Sequence, residues 1–338
     1  MYYKIIFLTL FLLIINLLLK KINFLVDDPK ESYHKLEKKS GTPLSGGIFL
    51  FFSIISLYFI DLNIFFNLNI IFLLFLILIL GIFSDVKKDF SPKLRIIFQS
   101  IVIFFLVFLN SEILILRTNI NFLDFLLSYN LIKFIFTIFC IITLLNGFNF
   151  MDGVNGLVAG YLLTLLITLH FILQGSGIEH YLNDIIIILL IFLIFNILGK
   201  SFLGDNGIYI SSIIISIIII KITNNNQNIS PILAVSLLWY PAIENLFTIV
   251  RRLIKGKYSY LPDKLHLHSL LLRKLNLNNI PFKYKNSLSG LIINIFLLPN
   301  FIFAYFFYDK SLYLGIFISM YVVLYLIIYV FLSKTINN

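Results

Sequence analysis

The 338-residue sequence predicts an all-α, polytopic membrane protein with about 11 transmembrane helices. Hydrophobic residues make up 60% of the chain and charged residues only 12%, and the mean hydropathy is +1.00, whereas soluble domains have about 25% charged residues. The apolar runs are apolar on every face, which excludes a porin-like barrel with its alternating pattern. A spanning helix takes about 20 residues, so residues 1–338 are expected to form one integral membrane domain.

Charged residues divide the chain into eleven apolar runs that predict the helices in order. Their bounds are 5–19, 40–60, 62–84, 96–111, 134–151, 153–178, 185–199, 206–220, 222–243, 286–308 and 311–333. The runs at 185–199 and 206–220 are short for a span and should need polar ends at the interface or protein neighbours.

Two further segments need a separate interpretation. Arg117 and Asp124 interrupt residues 112–133, which therefore predict a loop or an interfacial helix. The first apolar run is followed by Lys20 and Lys21 rather than by a small-residue cleavage site, so it is interpreted as a retained helix. Cys140 is the single cysteine, which excludes an intramolecular disulfide.

The positions of lysine and arginine predict the orientation. When the loops are assigned alternately to two sides, 21 of the 26 basic residues fall on one side, which we take as cytoplasmic. The N-terminus is then outside and the C-terminus cytoplasmic. Membrane topology and attraction to the anionic lipid bilayer explain the net charge of +10, so no nucleic-acid partner is needed.

The polar stretches gather on this predicted cytoplasmic face. They lie in the loops 20–45, 84–95, 146–156, 199–207 and 244–285. Transporters usually place ionisable groups near the bilayer midplane, often in two related halves. Here the carboxylates cluster at one face and no internal repeat is evident, which favours a cytoplasmic site over a transporter or channel.

The block from Asn146 to Leu157 places Asn and Asp side chains between two apolar runs. Asn149 and Asp152 are three residues apart and would share a face of a helix. The alternative is a capped turn that joins two helices, with Asp152 as the N-cap.

Two more stretches carry carboxylates in turns. Asp205 lies in a glycine-flanked turn and suits Mg²⁺, which takes a few carboxylate oxygens plus substrate phosphate, although the same residues also form ordinary turns. Asp85 ends an apolar run, where it could bind metal, take a proton or pair with a neighbouring lysine. Arg95 is either a phosphate contact or a positive-inside anchor.

Two of the five histidines, His266 and His268, lie in the longest predicted cytoplasmic loop. In an extended strand both rings would point the same way, whereas a helix would separate them. Zinc usually takes four ligands, and no cysteine lies nearby. The spacing favours binding of pyrophosphate oxygens or a hydrogen-bonding role.

Taken in order, these motifs resemble the polyprenyl-phosphate N-acetylhexosamine-1-phosphate transferases of glycosyltransferase family 4. This integral membrane family includes phospho-N-acetylmuramoyl-pentapeptide transferase and the initiators of O-antigen and enterobacterial common antigen synthesis. The resemblance rests on six segments: Thr42 to Gly47, Ser91 to Arg95, Asn149 to Leu157, Phe202 to Gly207, Trp239 to Glu244 before Arg251 and Arg252, and the histidine loop. Each motif is weak alone, but their order on one side is specific.

The resemblance implies Mg²⁺-dependent transfer, with Mn²⁺ as an alternative, of a sugar 1-phosphate from a UDP-N-acetylhexosamine to undecaprenyl phosphate in the bacterial inner membrane. It implies metal ligation by Asp205 and Asp85. The implied catalytic residues are Asp85, Asp152, His266 and His268. The implied substrate-binding residues are His34, Lys39, Asn149, Asn155, Arg95 and Arg252. The histidine pattern is closer to the sugar-only transferases, which favours an initiator of surface polysaccharide such as O-antigen of lipopolysaccharide.

Three positions depart from the family pattern. Ser84 stands where an acidic residue is common, Ser269 where a third histidine is usual, and Asn155 where the peptidoglycan enzymes have Asp. The Ser84 departure removes one metal ligand or base. It keeps open a divergent donor and a non-catalytic lipid-binding homologue, while the pentapeptide transferase is the alternative enzyme. The sequence leaves open whether the chain forms a homodimer.

Overall fold

The structure is a computed structural model that describes residues 2–27, 41–59, 65–87, 89–256, 265–276 and 282–337. Thirteen α-helices occur in these residues. They are α1 (Tyr2–Lys21), α2 (Gly46–Tyr58), α3 (Leu68–Val86), α4 (Pro92–Leu109), α5 (Asn121–Leu127), α6 (Asn130–Met151), α7 (Leu157–Ile172), α8 (Glu179–Ile197), α9 (Gly204–Asn225), α10 (Ile232–Ile254), α11 (Leu267–Asn276), α12 (Phe282–Phe306) and α13 (Ser311–Asn337). Within the same residues the only β-type pairing is an isolated bridge between Val26 and Pro43.

The helices confirm the predicted all-α, polytopic membrane architecture. Among the described residues, nine helices are long and apolar enough to cross a membrane, and α2 and α7 are shorter apolar helices. Each of the eleven predicted runs contributes to one of these eleven helices. The segment 112–133 holds only the end of a 3₁₀ turn (Ser111–Ile113), the short α5 and the first residues of α6, as expected for a loop or interfacial segment.

The two helices predicted from the shortest internal runs, 185–199 and 206–220, are both longer than those runs. Helix α8 has 19 residues and includes Asp184, which forms a 2.6 Å ion pair with Lys4 of α1. Helix α9 has 22 residues and includes Lys221, whose ammonium lies 3.2 Å from the Glu112 carboxylate. Pairing near a helix end lowers the cost of a charge in a membrane helix, so a charged residue does not end these helices.

Helix α9 forms the centre of the bundle. In its most apolar 18-residue window 94% of the residues are buried, and α2, α3 and α6 pack around it. A helix that is hydrophobic on all sides is suited to such a buried position. The isoleucine-rich sequence of α9 is therefore explained by packing against other helices as well as by the membrane.

One buried side chain joins α9 to two of its neighbours. Asn206 is fully buried; its Oδ1 accepts a 2.7 Å hydrogen bond from the Gly47 N–H, and its Nδ2 donates to the Leu44 carbonyl at 3.1 Å. A Cβ at Gly81 of α3 would lie 2.4 Å from the Asn206 Cα. The absence of a side chain at Gly81 allows the close packing of α3 against α9.

Arg117 satisfies carbonyl groups at the opposite end of α9. Its Nη2 donates to the carbonyl oxygens of Thr223, Asn226 and Ile229 at 3.2, 2.9 and 3.0 Å. The last carbonyls of a helix have no partner within the helix and carry partial negative charge. Arg117 is therefore a structural residue at the end of the bundle remote from Asp205.

We expect Asn206→Ala to destabilise the bundle. The substitution leaves the buried Gly47 N–H and Leu44 carbonyl without their partner, and each buried unsatisfied group costs about 1–3 kcal/mol. Thermal unfolding of the detergent-solubilised protein should show a melting temperature lowered by several degrees. Asn225→Ala, an exposed position at the other end of α9, is the control and should unfold like the wild type; equal melting temperatures for both variants would contradict this role.

The predicted orientation can be tested with single cysteines in a Cys140→Ala background. Asp89, between α3 and α4, and Gln227, between α9 and α10, are both exposed. The positive-inside assignment places Asp89 in the cytoplasm and Gln227 outside. A membrane-impermeant maleimide should label Gln227→Cys in intact spheroplasts and Asp89→Cys only after permeabilisation, and the reverse pattern would overturn the orientation.

Candidate active site

Asp85, at the end of α3, caps the N-terminus of α9. Its Oδ1 accepts a hydrogen bond from the Asp205 N–H at 2.8 Å, and its Oδ2 accepts one from the Asn206 N–H at 3.0 Å and another from the Asn206 side-chain amide. Unpaired N–H groups and the helix dipole both favour an anion at this position. Both carboxylate oxygens of Asp85 thus stabilise the start of α9, a role that the sequence interpretation did not include.

A glycine makes this cap possible. Gly204 has φ +65°, in the left-handed region that favours glycine. A Cβ at this position would lie 2.8 Å from Asp85 Oδ2. Gly204 therefore allows both the left-handed backbone conformation and the close approach of the Asp85 carboxylate.

Asp205 is the point at which side chains from three other helices, α3, α4 and α6, meet. Its Oδ2 accepts hydrogen bonds from the Ser84 hydroxyl, from Arg95 Nη1 at 2.8 Å and from the Tyr209 hydroxyl at 3.4 Å. Its Oδ1 accepts a longer hydrogen bond, 3.3 Å, from Asn149 Nδ2. The structure thus brings together side chains from α3, α4, α6 and α9, and it places Arg95 on a carboxylate rather than at a free surface.

Asp152 follows the last residue of α6 and is the C-cap of that helix. The expected alternative, an N-cap on the next helix, is wrong, because α7 begins five residues later and Gly156 occupies its N-cap position. Asp152 is exposed, but loss of hydration among the protein atoms around its carboxyl group and the negative charge of Asp205 raise its pKa to about 7. Asp152 therefore lies within electrostatic reach of Asp205.

Asn155 is directed to a different part of the bundle. The residue is buried, and its backbone N–H donates to Asn286 Oδ1 on α12 at 2.6 Å. Within the described residues no hydrogen bond joins it to Asp152 or Asp205. The structure gives Asn155 a contact that fixes the Asn149–Leu157 block against α12, and its substrate-binding role stays a prediction.

His266 and His268 form a second cluster beside the same block. Their rings are parallel, with centroids 5.6 Å apart and an interplanar angle of 2°. The sequence predicted that both histidines lie either in an extended strand or in a helix. In the structure His266 immediately precedes α11 and His268 lies in its first turn, so only His268 is helical. A Cβ at Gly153 would lie 2.0 Å from His268 Nε2, so the absence of a side chain there admits the imidazole.

The environment of His268 keeps its ring uncharged. Burial and the neighbouring His266 lower the pKa of His268 to about 3, and Glu244 opposes this effect only in part. Its Nδ1 is buried without a hydrogen-bond partner among the described residues. A neutral imidazole cannot offset phosphate charge, so His268 is suited to hydrogen bonding and packing rather than to charge neutralisation.

Two arginines near the end of α10 support the histidine segment. The Arg252 guanidinium lies 5.3 Å from the centre of the Phe150 ring, and Phe150 packs against His266 with centroids 5.1 Å apart. Arg251 Nη1 donates at 2.6 Å to both the Leu265 carbonyl and the Tyr329 hydroxyl. Arg252, which the sequence interpretation assigned to substrate binding, is buried and contacts the site through Phe150.

Some predicted residues are not described and some observed ones were not predicted. His34 and Lys39 lie outside the described residues. Sequence reasoning assigned no role to Asn206 or Glu244, although both lie within quoted motifs. Glu244 carried a signal, because a lone carboxylate within an apolar helix is by default a candidate functional residue.

The side chains of the site suit a hard divalent cation only if substrate phosphates supply further oxygen ligands. Within the described part of the chain, no three His, Cys, Asp or Glu side chains gather closely enough to hold a metal. Asp205 Oδ1 accepts one long hydrogen bond and retains lone-pair capacity. Mg²⁺ is usually bound by one or two carboxylates together with substrate phosphates and water, and Asp205 suits this mode.

Sequence comparisons relate the segment that carries the site to a known family of enzymes. The family model described as glycosyl transferase family 4 matches residues 67–223, which contain Asp85, Asn149, Asp152 and Asp205. The chain is 27% identical over 278 residues to an undecaprenyl-phosphate alpha-N-acetylglucosaminyl 1-phosphate transferase of Escherichia coli O157:H7, covering 79% of this chain and 74% of the relative. A similar enzyme of Salmonella typhi is 24% identical over 282 residues, with the same coverage.

A shorter match is to a mycobacterial enzyme. A decaprenyl-phosphate N-acetylglucosaminephosphotransferase of Mycobacterium tuberculosis is 29% identical over 160 residues, 39% of each chain. The matched segment 67–223 contains the clustered carboxylates and lies in a polytopic helical fold. These findings support glycosyl transferase family 4 as the family that this chain resembles.

Proposed function

We propose that this protein transfers an N-acetylhexosamine 1-phosphate, with N-acetylglucosamine as the first candidate, from a UDP-sugar to undecaprenyl phosphate and releases UMP. The observation that carries the proposal is the hydrogen-bonded cluster around Asp205, in which distant polar stretches meet at one end of an apolar bundle. A lipid phosphate and a soluble nucleotide sugar must react where membrane and water meet. The names of the relatives support the same reaction.

Each side chain of the cluster has a task in this proposal. Asp205 holds Mg²⁺, or Mn²⁺ in its place, together with the pyrophosphate of the donor. The bound cation supplies charge neutralisation on the pyrophosphate and the departing UMP. Asp85 keeps Asp205 in place through the α9 N-terminus, while Asn149 and Arg95 orient the Asp205 carboxylate and approach the phosphates.

Asp152 is the candidate for positioning or deprotonating the lipid phosphate. A phosphate monoester has a second pKa near about 6, so the acceptor needs little help to reach its reactive dianion. Most of the catalytic effect should come from positioning the two substrates and from electrostatic stabilisation. The raised pKa of Asp152 is compatible with a group that exchanges a proton near neutral pH.

We place the reaction at the cytoplasmic face of the bacterial inner membrane, as the first step of a surface polysaccharide. The relatives are named for N-acetylglucosamine 1-phosphate transfer, which favours this step over the pentapeptide transfer of peptidoglycan synthesis. The family resemblance implies an acidic residue at position 84, but Ser84 still donates to Asp205. A non-catalytic lipid-binding protein is therefore the less favoured alternative.

The proposal is tested by transfer of label from a panel of UDP-N-acetylhexosamines to undecaprenyl phosphate. The purified wild-type protein should form a lipid-linked product only when Mg²⁺ or Mn²⁺ is present. Asp205→Asn should lower the rate by about 100-fold or more, as expected for losing a group that stabilises transition-state charge. Asp184→Asn, which breaks the remote pair with Lys4, is the matched control and should keep its activity; no product from any donor would overturn the proposal.

Ser84→Asp tests whether Asp205 holds the divalent cation. The new carboxylate beside Asp205 should strengthen cation binding and lower the half-saturating Mg²⁺ concentration by about 10-fold, or about 1.4 kcal/mol. In EDTA the same substitution should lower the melting temperature, because like charges repel. The uncharged Ser84→Asn is the control, and an unchanged Mg²⁺ requirement in Ser84→Asp would contradict metal binding at Asp205.

A further inference from the structure

Glu244 is a carboxylate buried inside α10 that faces the histidine cluster. Only 1% of its surface is exposed. Its Oε2 lies 3.1 Å from His266 Nδ1, and its Oε1 accepts the Leu267 N–H at 3.3 Å. Leu267 is the first residue of α11, so one side chain contacts both an imidazole and the start of the helix that carries the second imidazole.

The hydrogen atoms in this contact can be assigned. An ionised carboxylate only accepts hydrogen bonds, and a neutral imidazole carries a proton on one of its two nitrogens. His266 Nδ1 must therefore be the protonated nitrogen when it bonds to Glu244. In the neutral ring the remaining nitrogen, Nε2, then presents a lone pair and can accept a hydrogen bond from a ligand.

The orientation of the His266 ring affects the rest of the cluster because the rings pack against one another. The His266 ring contacts both Phe150 and His268, and the His268 ring fills the space beside Gly153. Leu265 precedes His266 in the chain, and its carbonyl accepts a hydrogen bond from Arg251. A rotation of His266 would disturb these contacts, which end next to Asp152.

We propose that Glu244 is a positioning residue that fixes His266 in its Nδ1-protonated form and leaves Nε2 as an acceptor beside the Asn149–Leu157 block. The proposal rests on the proposed function and deepens it, because an acceptor selects a donor group. It assigns His266 to a hydroxyl or N–H group of the nucleotide sugar rather than to a phosphate oxygen, which has no hydrogen to donate.

The tautomer is tested directly by nitrogen NMR of the detergent-solubilised protein with ¹⁵N-labelled histidine. The wild type should show the His266 signals of a protonated Nδ1 and an unprotonated Nε2, and His266→Gln identifies these signals by their loss. In Glu244→Gln the amide can donate to Nδ1, which should move the proton to Nε2. A protonated Nε2 in the wild type would overturn the proposal whether or not the protein shows activity.

The transfer assay gives the functional consequence. Glu244→Gln should lower the rate by about 10- to 100-fold, the range for losing a carboxylate that orients a functional histidine. Ser236→Ala removes a buried 3.4 Å hydrogen bond from the same helix and should keep wild-type activity. Wild-type activity in a folded Glu244→Gln would overturn the positioning role, whereas a wild-type protein that transfers no sugar phosphate would overturn the proposed function and leave the tautomer result standing.

Discussion

The contact on which the site depends is the capping of α9 by Asp85. The N-terminus of this central helix lies among other helices, where its free N–H groups cannot all reach water. Asp85 satisfies the N–H groups of Asp205 and Asn206, and these N–H groups in turn compensate the half-buried carboxylate. Because the capped residues include Asp205, the contact that completes the fold also sets the position of the functional carboxylate.

Neighbouring residues of α3 have different tasks as a result. Asp85 bonds to the backbone of α9, whereas Ser84 bonds to the side chain of Asp205. Arg117 complements the other end of α9, so the dipole of the buried helix has an anion at its positive end and a cation at its negative end. The polar groups of the bundle are thus distributed according to the polarity of one helix.

The sequence predicted the helices well because apolar runs and charges are local signals. The same-side placement of the polar stretches also predicted that Asp85, Asn149, Arg95 and Asp205 share one end of the bundle, and the structure brings these four together. The capping role of Asp85 could not be read from the sequence, because it joins segments 120 residues apart. The helix α8 was predicted too short because the partner of Asp184 belongs to another helix.

Charge balance at the site connects these contacts to the chemistry. Asp205 interacts electrostatically with both Asp85 and Asp152, and Arg95 is the cation bonded to Asp205. When all three carboxyl groups are ionised, one guanidinium leaves excess negative charge, and both proposed substrates are anions. Two anions can react in such a place only if further positive charge accompanies them, which is the contribution expected of a divalent ion bound with the donor. With Ser84 in place of an acid the site has one negative charge fewer to balance, and the hydroxyl preserves the hydrogen bond that holds Asp205 in place.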